Sequence, residues 1–302
     1  MSFVSRYKQA AYVLSSTSLL TLAIGVQPLF AASYHQISVP NSTQNTVTGI
    51  NNLNQIVGTY YDQKGNNHGF IISHGKYTTI DFGQGNETWT TGINDEGVMV
   101  GFYQTPPPDV GPPHGWIDQN GTFTQIDYPN AYGTFPQAIN KSGEVVGYWF
   151  DGGQTYSAFK YVNGVFTALN LPNAVLSFAN GVNTNGDISG SYWVSQNGGM
   201  AEYGFILHSN GKLDTINDPA PSSAGTLIAG INDKLQAVGS YNIANTSYFS
   251  GFGYANGKFL SLNYPNAIST TPADLNNNDI VVGTWYPTGP QQNIPHGFYY
   301  VP

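Results

Sequence analysis

The chain has no cysteine, and its single arginine, Arg6, stands at the start of an apolar N-terminal segment. Lack of cysteine excludes disulfides, thiolate metal centres and thiol nucleophiles, so packing alone must hold the fold. Charge is scarce too. Asp, Glu, Lys and Arg make up 9 % of the 302 residues, against roughly 25 % in ordinary globular domains. Long hydrophobic runs are missing as well: the densest, Leu19–Val26, falls well short of the roughly 20 residues needed to span a bilayer.

Residues 1–32 instead read as a secretory signal peptide. Arg6 and Lys8 precede the apolar run, and Pro28, Ala31 and Ala32 offer a cleavage site. Its removal would leave residues 33–302 as a secreted domain, extracellular or periplasmic, without a membrane span. That domain has 7 Lys and no Arg against 17 Asp and Glu, a formal charge of −10. Such a surface repels phosphate, which argues against nucleic-acid partners and anionic membranes. Arginine clamps for carboxylate, sulfate or phosphate are excluded outright.

What the chain does have is 36 Gly, 21 Tyr and 16 Phe, a composition that favours strands and turns. It also has an internal repeat. An aliphatic-Asn pair recurs at Ile50-Asn51, Ile93-Asn94, Ile139-Asn140, Val182-Asn183, Ile231-Asn232 and Leu275-Asn276, spaced 43, 46, 43, 49 and 44 residues apart. A glycine follows each Asn by seven residues, and an aromatic follows each glycine by two. These aromatics are Tyr60, Tyr103, Trp149, Tyr192, Tyr241 and Trp285. Next comes a small residue and an aromatic, as in Gly69-Phe70, then an Ile-Asp element such as Tyr77–Phe82.

Each unit reads as four short strands joined by hairpin turns. A period near 45 residues with four strands is the signature of a β-propeller blade. The sixth copy lacks its fourth strand, and Tyr34–Pro40 carries the missing pattern. The expected fold is therefore all-β: a six-bladed β-propeller whose last blade is completed by the N-terminal strand. Closure hides sheet edges that an open array would expose. The second-strand aliphatics and the aromatic of each Gly-aromatic pair are the expected filling between blades.

The motifs Gly-Ile-Asn, Val-Gly-x-Tyr, His-Gly-Phe and Ile-Asp-x-Pro resemble those of the extracellular repeat proteins called the HAF family, over residues 34–302. The resemblance implies secretion and a repeat fold. It transfers no catalytic residue, because the family carries no agreed activity.

Tyr60, Tyr103, Trp149, Tyr192, Tyr241 and Trp285 are the candidate ligand-binding residues, as stacking platforms for sugar rings. Packing between blades is what six-fold recurrence alone predicts for the ring, and Trp149 and Trp285 fit either reading. His68, His114 and His296 share one repeat position, but three-fold convergence on a metal needs imidazoles closer together than adjacent blades allow. They read as structural, and no metal is assigned. Asp274–Asp279 and Asn183–Asp187 are oxygen-rich yet lack the spaced carboxylates of a calcium loop. No nucleophile elbow or acid pair stands out, so no catalytic residue and no cofactor is assigned. The leading reading is a non-catalytic binding or display module for a polysaccharide or a surface protein. The alternatives are an extracellular hydrolase or lyase with an axial site, where symmetry would have to break, and a protein-interaction scaffold.

Overall fold

Glycine and asparagine punctuate β-rich runs of four to nine residues, and each run forms a strand. In the computed structural model, described over residues 33–302 apart from 84, 108, 109, 197, 221 and 222, all regular structure is strand. Residues 1–32, read from the sequence as a signal peptide, and loop residue Asp109 lie outside the described residues. Strand β1 (Ser33–Ile37) comes first. Blade 1 follows as β2 (Gln44–Ile50), β3 (Ile56–Tyr61), β4 (Asn67–Ser73) and β5 (Lys76–Ile80). Blade 2 is β6 (Glu87–Ile93), β7 (Met99–Gln104), β8 (His114–Gln119) and β9 (Thr122–Ile126). Blade 3 is β10 (Gly133–Ile139), β11 (Val145–Phe150), β12 (Tyr156–Val162) and β13 (Val165–Ala168). Blade 4 is β14 (Ala174–Val182), β15 (Ile188–Gln196), β16 (Gly199–Leu207) and β17 (Leu213–Ile216). Blade 5 is β18 (Ser223–Ile231), β19 (Ala237–Ile243), β20 (Phe249–Ala255) and β21 (Lys258–Ser261). Blade 6 has β22 (Ala267–Leu275), β23 (Val281–Pro287) and β24 (His296–Val301).

The sheets are six, each of four antiparallel strands, and the last has the order β1-β24-β23-β22. The chain is thus a six-bladed β-propeller. The N-terminal strand supplies the outer strand of blade 6, in register from Ser33 opposite Val301 to Ile37 opposite Gly297. Tyr34 anchors it, with its ring 4.9 Å from Tyr300 and 5.4 Å from Tyr264. First strands of blades 1 and 6 touch, which shuts the ring.

The filling is as the repeat requires. Phe70, Trp116, Phe159, Phe205, Phe252 and Phe298 are all at most 1 % exposed. The glycine of the second strand makes room for this ring: a Cβ on Gly58 would strike both Phe70 and the Thr46 carbonyl. Every first strand carries a bulge just before its aliphatic-Asn pair, as between Val47 and Gly49 or Pro272 and Asp274. A bulge re-aims the residues beside it, here at the inner end of every blade.

Antiparallel order puts the first-to-second and third-to-fourth turns at one end of the ring, the turn face. Second-to-third loops and the connectors between blades lie at the other, the loop face. The third residue after each conserved Asn adopts a left-handed conformation. Gly97, Gly143 and Gly186 fill it at φ 76°, 80° and 80°, but blade 5 uses Leu235 at φ 58°. That conformation costs a non-glycine residue roughly 1–2 kcal/mol, and the Leu235 side chain is exposed. Leu235→Gly should raise stability by about 1 kcal/mol, read as a higher guanidinium midpoint at unchanged slope.

Candidate functional site

The first strand of each blade faces the axis, and its terminal asparagine is bound on two sides. In blade 3, Asn140 Oδ1 accepts the backbone N–H groups of Ser142 and Glu144, both at 3.0 Å. This fixes the turn into the second strand. Its Nδ2 donates to the Asn183 carbonyl of blade 4, also at 3.0 Å. The same step runs from Asn51 to Asn94, Asn94 to Asn140, Asn183 to Asn232, Asn232 to Asn276, and Asn276 back to Asn51. Six buried amides therefore form a closed hydrogen-bonded ring around the axis, with distances of 2.8 to 3.2 Å. A second tier outside it is partial: Asn52 N–H donates to Asp95, Thr184 to Asp233, Asp233 to Asn277 and Asn277 to Asn52.

Inside the ring lies an axial cavity of about 80 Å³, lined by the ends of all six first strands. It is far smaller than the roughly 300–1,000 Å³ of typical ligand pockets. Two residues before the conserved Asn, the repeat has Gly49, Gly92, Ala138, Gly181 and Gly230, but blade 6 has Asp274. Small residues are needed there because neighbouring strands nearly touch: a Cβ on Gly92 would lie 3.0 Å from the Cα of Ala138. Asp274 turns its carboxyl across the seam between last and first blades, where Oδ2 accepts Ile50 N–H at 3.1 Å; Oδ1 accepts Leu275 N–H at 2.8 Å. Enclosure by protein, with only the cavity beside it, pushes its pKa from 3.8 to about 7; the two backbone donors pull the other way and lose.

Symmetry also breaks towards the loop face. Thr48, Thr91, Gln137 and Asn180 line the axial cavity. Farther up the same first strands stand Thr46, Trp89, Phe135 and Phe178, with Leu227 and Thr271 in blades 5 and 6. Blades 2 to 4 carry aromatics there, and the rings touch from blade to blade. Trp89 stacks on Phe102 at 4.8 Å, and Phe102 meets Phe135 edge-on at 5.1 Å. Phe135 stacks on Tyr148 at 4.9 Å, and Tyr148 meets Phe178 at 5.0 Å. Tyr156, Phe150 and half-exposed Tyr132 extend the arc outward. Each ring in the chain from Trp89 to Phe178 keeps part of its surface open. Blades 1 and 6 carry the half-buried hydroxyls of Thr46 and Thr271 there, Thr46 hydrogen-bonded to Thr59 at 2.9 Å; Thr59, Ser191, Ser240 and Thr284, at the places of Phe102 and Tyr148, are buried.

The six aromatics chosen from the sequence lie elsewhere, at the contacts between strands and blades. Tyr103 stacks on Phe82 at 3.9 Å, Trp149 on Tyr128 at 4.9 Å and Trp285 on Tyr264 at 4.2 Å. Each partner follows the fourth strand of the preceding blade. Tyr60 and Tyr192 are buried, and their hydroxyls meet Thr79 and Thr215, both at 3.2 Å. Tyr241 packs against the blade 5 core. The histidines stay within their own blades: His68 pairs with Asp81 at 2.8 Å and His114 with Asp127 at 3.0 Å. In blade 6 Ser38 takes the aspartate's place, and burial lowers the His296 pKa. The oxygen-rich segments are engaged as well, Asp187 with His208 and Asp279 with Lys234. Aligning the six copies column by column is the signal that reveals both the aromatic arc and Asp274.

No family model matches the chain, and no curated protein matches it, so the HAF resemblance rests on the motifs alone. Solved structures share the fold. The β-propeller domain of the Trilobed protease from Pyrococcus furiosus, described as having an open velcro topology, matches at TM-score 0.50 and 10 % identity. That match covers 82 % of this chain and 81 % of the other. A streptogramin B lyase matches at TM-score 0.47 and 13 % identity, over 89 % of this chain and 97 % of that one. The six-bladed fucose-recognising lectin of Aleuria aurantia reaches 0.43 at 13 % identity, over 73 % and 77 %. At these identities the likeness is one of fold.

Two outcomes test the axial architecture. Asn140→Ala removes three hydrogen bonds, one of them buried and two half-buried, and should cost about 2–4 kcal/mol in urea unfolding. Asn140→Asp keeps the acceptor but loses the donor, and should still cost more than about 1 kcal/mol; wild-type stability in that variant would show the ring bond to be dispensable. Asp274 sets a pH dependence. The folded chain holds its proton between pH 4 and about 7, where an unfolded chain has released it. Stability therefore falls as pH rises through that window. In Asp274→Asn this component should vanish, seen by comparing urea midpoints of the two proteins from pH 4 to 8.

Proposed function

We propose that this protein is a secreted, non-catalytic propeller of the HAF type that binds a polysaccharide at the loop-face end of its axis. The aromatic arc of blades 2 to 4 carries the reading. A sugar ring has an apolar C–H face and a rim of hydroxyls. Partly open aromatic surface across the axis from the threonine hydroxyls of Thr46 and Thr271 offers a partner to both, and tyrosine gives adaptable contacts of this kind. The charge on that face supports a neutral or cationic polymer. Lys64 is the one described cation there, against acids that include Asp62, Asp81, Glu87, Asp127 and Asp151. A phosphorylated or sulfated polymer would be repelled. Several weak subsites along the arc would act together through avidity.

The test is a panel of neutral and amino polysaccharides, followed by the intrinsic tryptophan fluorescence and its loss of response in Trp89→Phe. Trp89→Ala and Phe135→Ala should each weaken binding at least about tenfold, equivalent to ~1.4 kcal/mol. Trp149→Ala and Trp285→Ala should lower stability yet leave affinity within about twofold, because their rings are stacked on neighbours. Absence of binding across the panel at millimolar concentration would sink the proposal. So would loss of binding in the Trp149 and Trp285 variants alone.

A further inference from the structure

The geometry points to a second site, for a primary ammonium group on a slender aliphatic chain, in the axial cavity at the turn-face end. Four polar side chains of its wall donate to backbone carbonyls. Thr48 Oγ1 donates to the Thr90 carbonyl at 2.7 Å, and Thr91 Oγ1 to the Pro136 carbonyl at 2.8 Å. Asn180 Nδ2 donates to the Ile228 carbonyl and Gln137 Nε2 to the Pro136 carbonyl, both at 3.1 Å. The oxygens of these four residues keep lone pairs for the cavity, and the amides of Asn180 and Gln137 each keep one further N–H. Asp274 adds the single carboxylate. Each of its oxygens accepts one backbone N–H and has further acceptor capacity, and no described cation pairs with it. Lys160, Lys212 and Lys234 are paired with Glu144, Asp214 and Asp279. Lys141 stands exposed at the mouth, a level farther out, and the mouth acids Asp95 and Asp233 are bonded to Asn52 and to Thr184 and Asn277.

A wall of acceptors with one negative charge selects a ligand of donors with one positive charge. An ammonium group supplies three N–H donors and a charge of +1. The oxygens come from five blades around about 80 Å³, more room than a bare ion with ligands at the 2.3–2.6 Å of a calcium shell would fill. That space suits a few heavy atoms, with the rest of the chain leaving through the mouth on the turn face. Polymer binding at the loop face is not required for this site.

Titration of the full protein with n-butylammonium at pH 8, by calorimetry and thermal unfolding, tests the assignment. Potassium and tetramethylammonium at equal ionic strength serve as controls. Butylammonium should bind and raise the unfolding midpoint, and neither control should do so comparably. Asp274→Asn should weaken binding at least tenfold. Asn180→Ala, which removes one acceptor and leaves the seam intact, should weaken it several-fold and decides the matter if the Asp274 variant does not fold. An equal response to potassium would overturn the ammonium assignment, as would an equal response to tetramethylammonium. Wild-type affinity in every variant that folds would overturn the site.

Discussion

One side-chain amide, repeated six times, ties local structure to global closure. Its oxygen shapes the turn within its own blade, and its nitrogen reaches the next blade's carbonyl. Only asparagine can do both in so short a reach. Aspartate lacks the donor, and glutamine would push the amide one methylene farther into a packed axis. Every link is buried, where a hydrogen bond is strong and an unmade one is expensive. The ring matters because a blade has no core of its own and borrows one from its neighbours. Closure makes each borrowing reciprocal, and β1 in blade 6 completes it without a disulfide.

That constraint sorts the repeat into fixed and free positions. The asparagine, the second-strand glycine and the third-strand aromatic answer steric demands that are the same in all six blades, so they recur. Positions such as those of Trp89 and Phe102 lie towards the loop-face end of the blades, where the side chains keep part of their surface open. There the copies differ: threonine with threonine in blade 1, tryptophan with phenylalanine in blade 2, leucine with serine in blade 5. Departure from the repeat therefore marks positions free of that packing demand, and strict recurrence marks the frame.

The fold was legible because its determinants repeat. Six Asn-Gly-aromatic registers fixed the blade count, and the Tyr34–Pro40 segment announced the closing strand. The axial site was legible only in part. A turn alone would explain an asparagine, an aspartate or a serine, and the absence of aspartate from all six copies was the trace of a donor in use. Tyr103, Trp149 and Trp285 drew attention as aromatics beside variable loops. Their partners, Phe82, Tyr128 and Tyr264, lie about twenty residues upstream in another blade, and only the ring brings them face to face. Recurrence favoured packing, and the stacking shows what that packing is.

Asp274 shows why a carboxyl can enter the axis at one place. At the equivalent position in blades 1, 2, 4 and 5 the next strand sits so close that glycine is used, and blade 3 admits only alanine. The seam between blades 6 and 1 joins the two ends of the chain, and its first strands are not consecutive in sequence. There the side chain reaches across and accepts the Ile50 N–H, so the carboxyl becomes part of the closure. It also remains at the cavity wall. The same group that joins the seam thereby gives the axis its single deep charge, at the end opposite the aromatic arc. The two ends of one channel thus differ in chemistry because symmetry is relaxed at different blades: 2 to 4 for the rings, 6 for the acid.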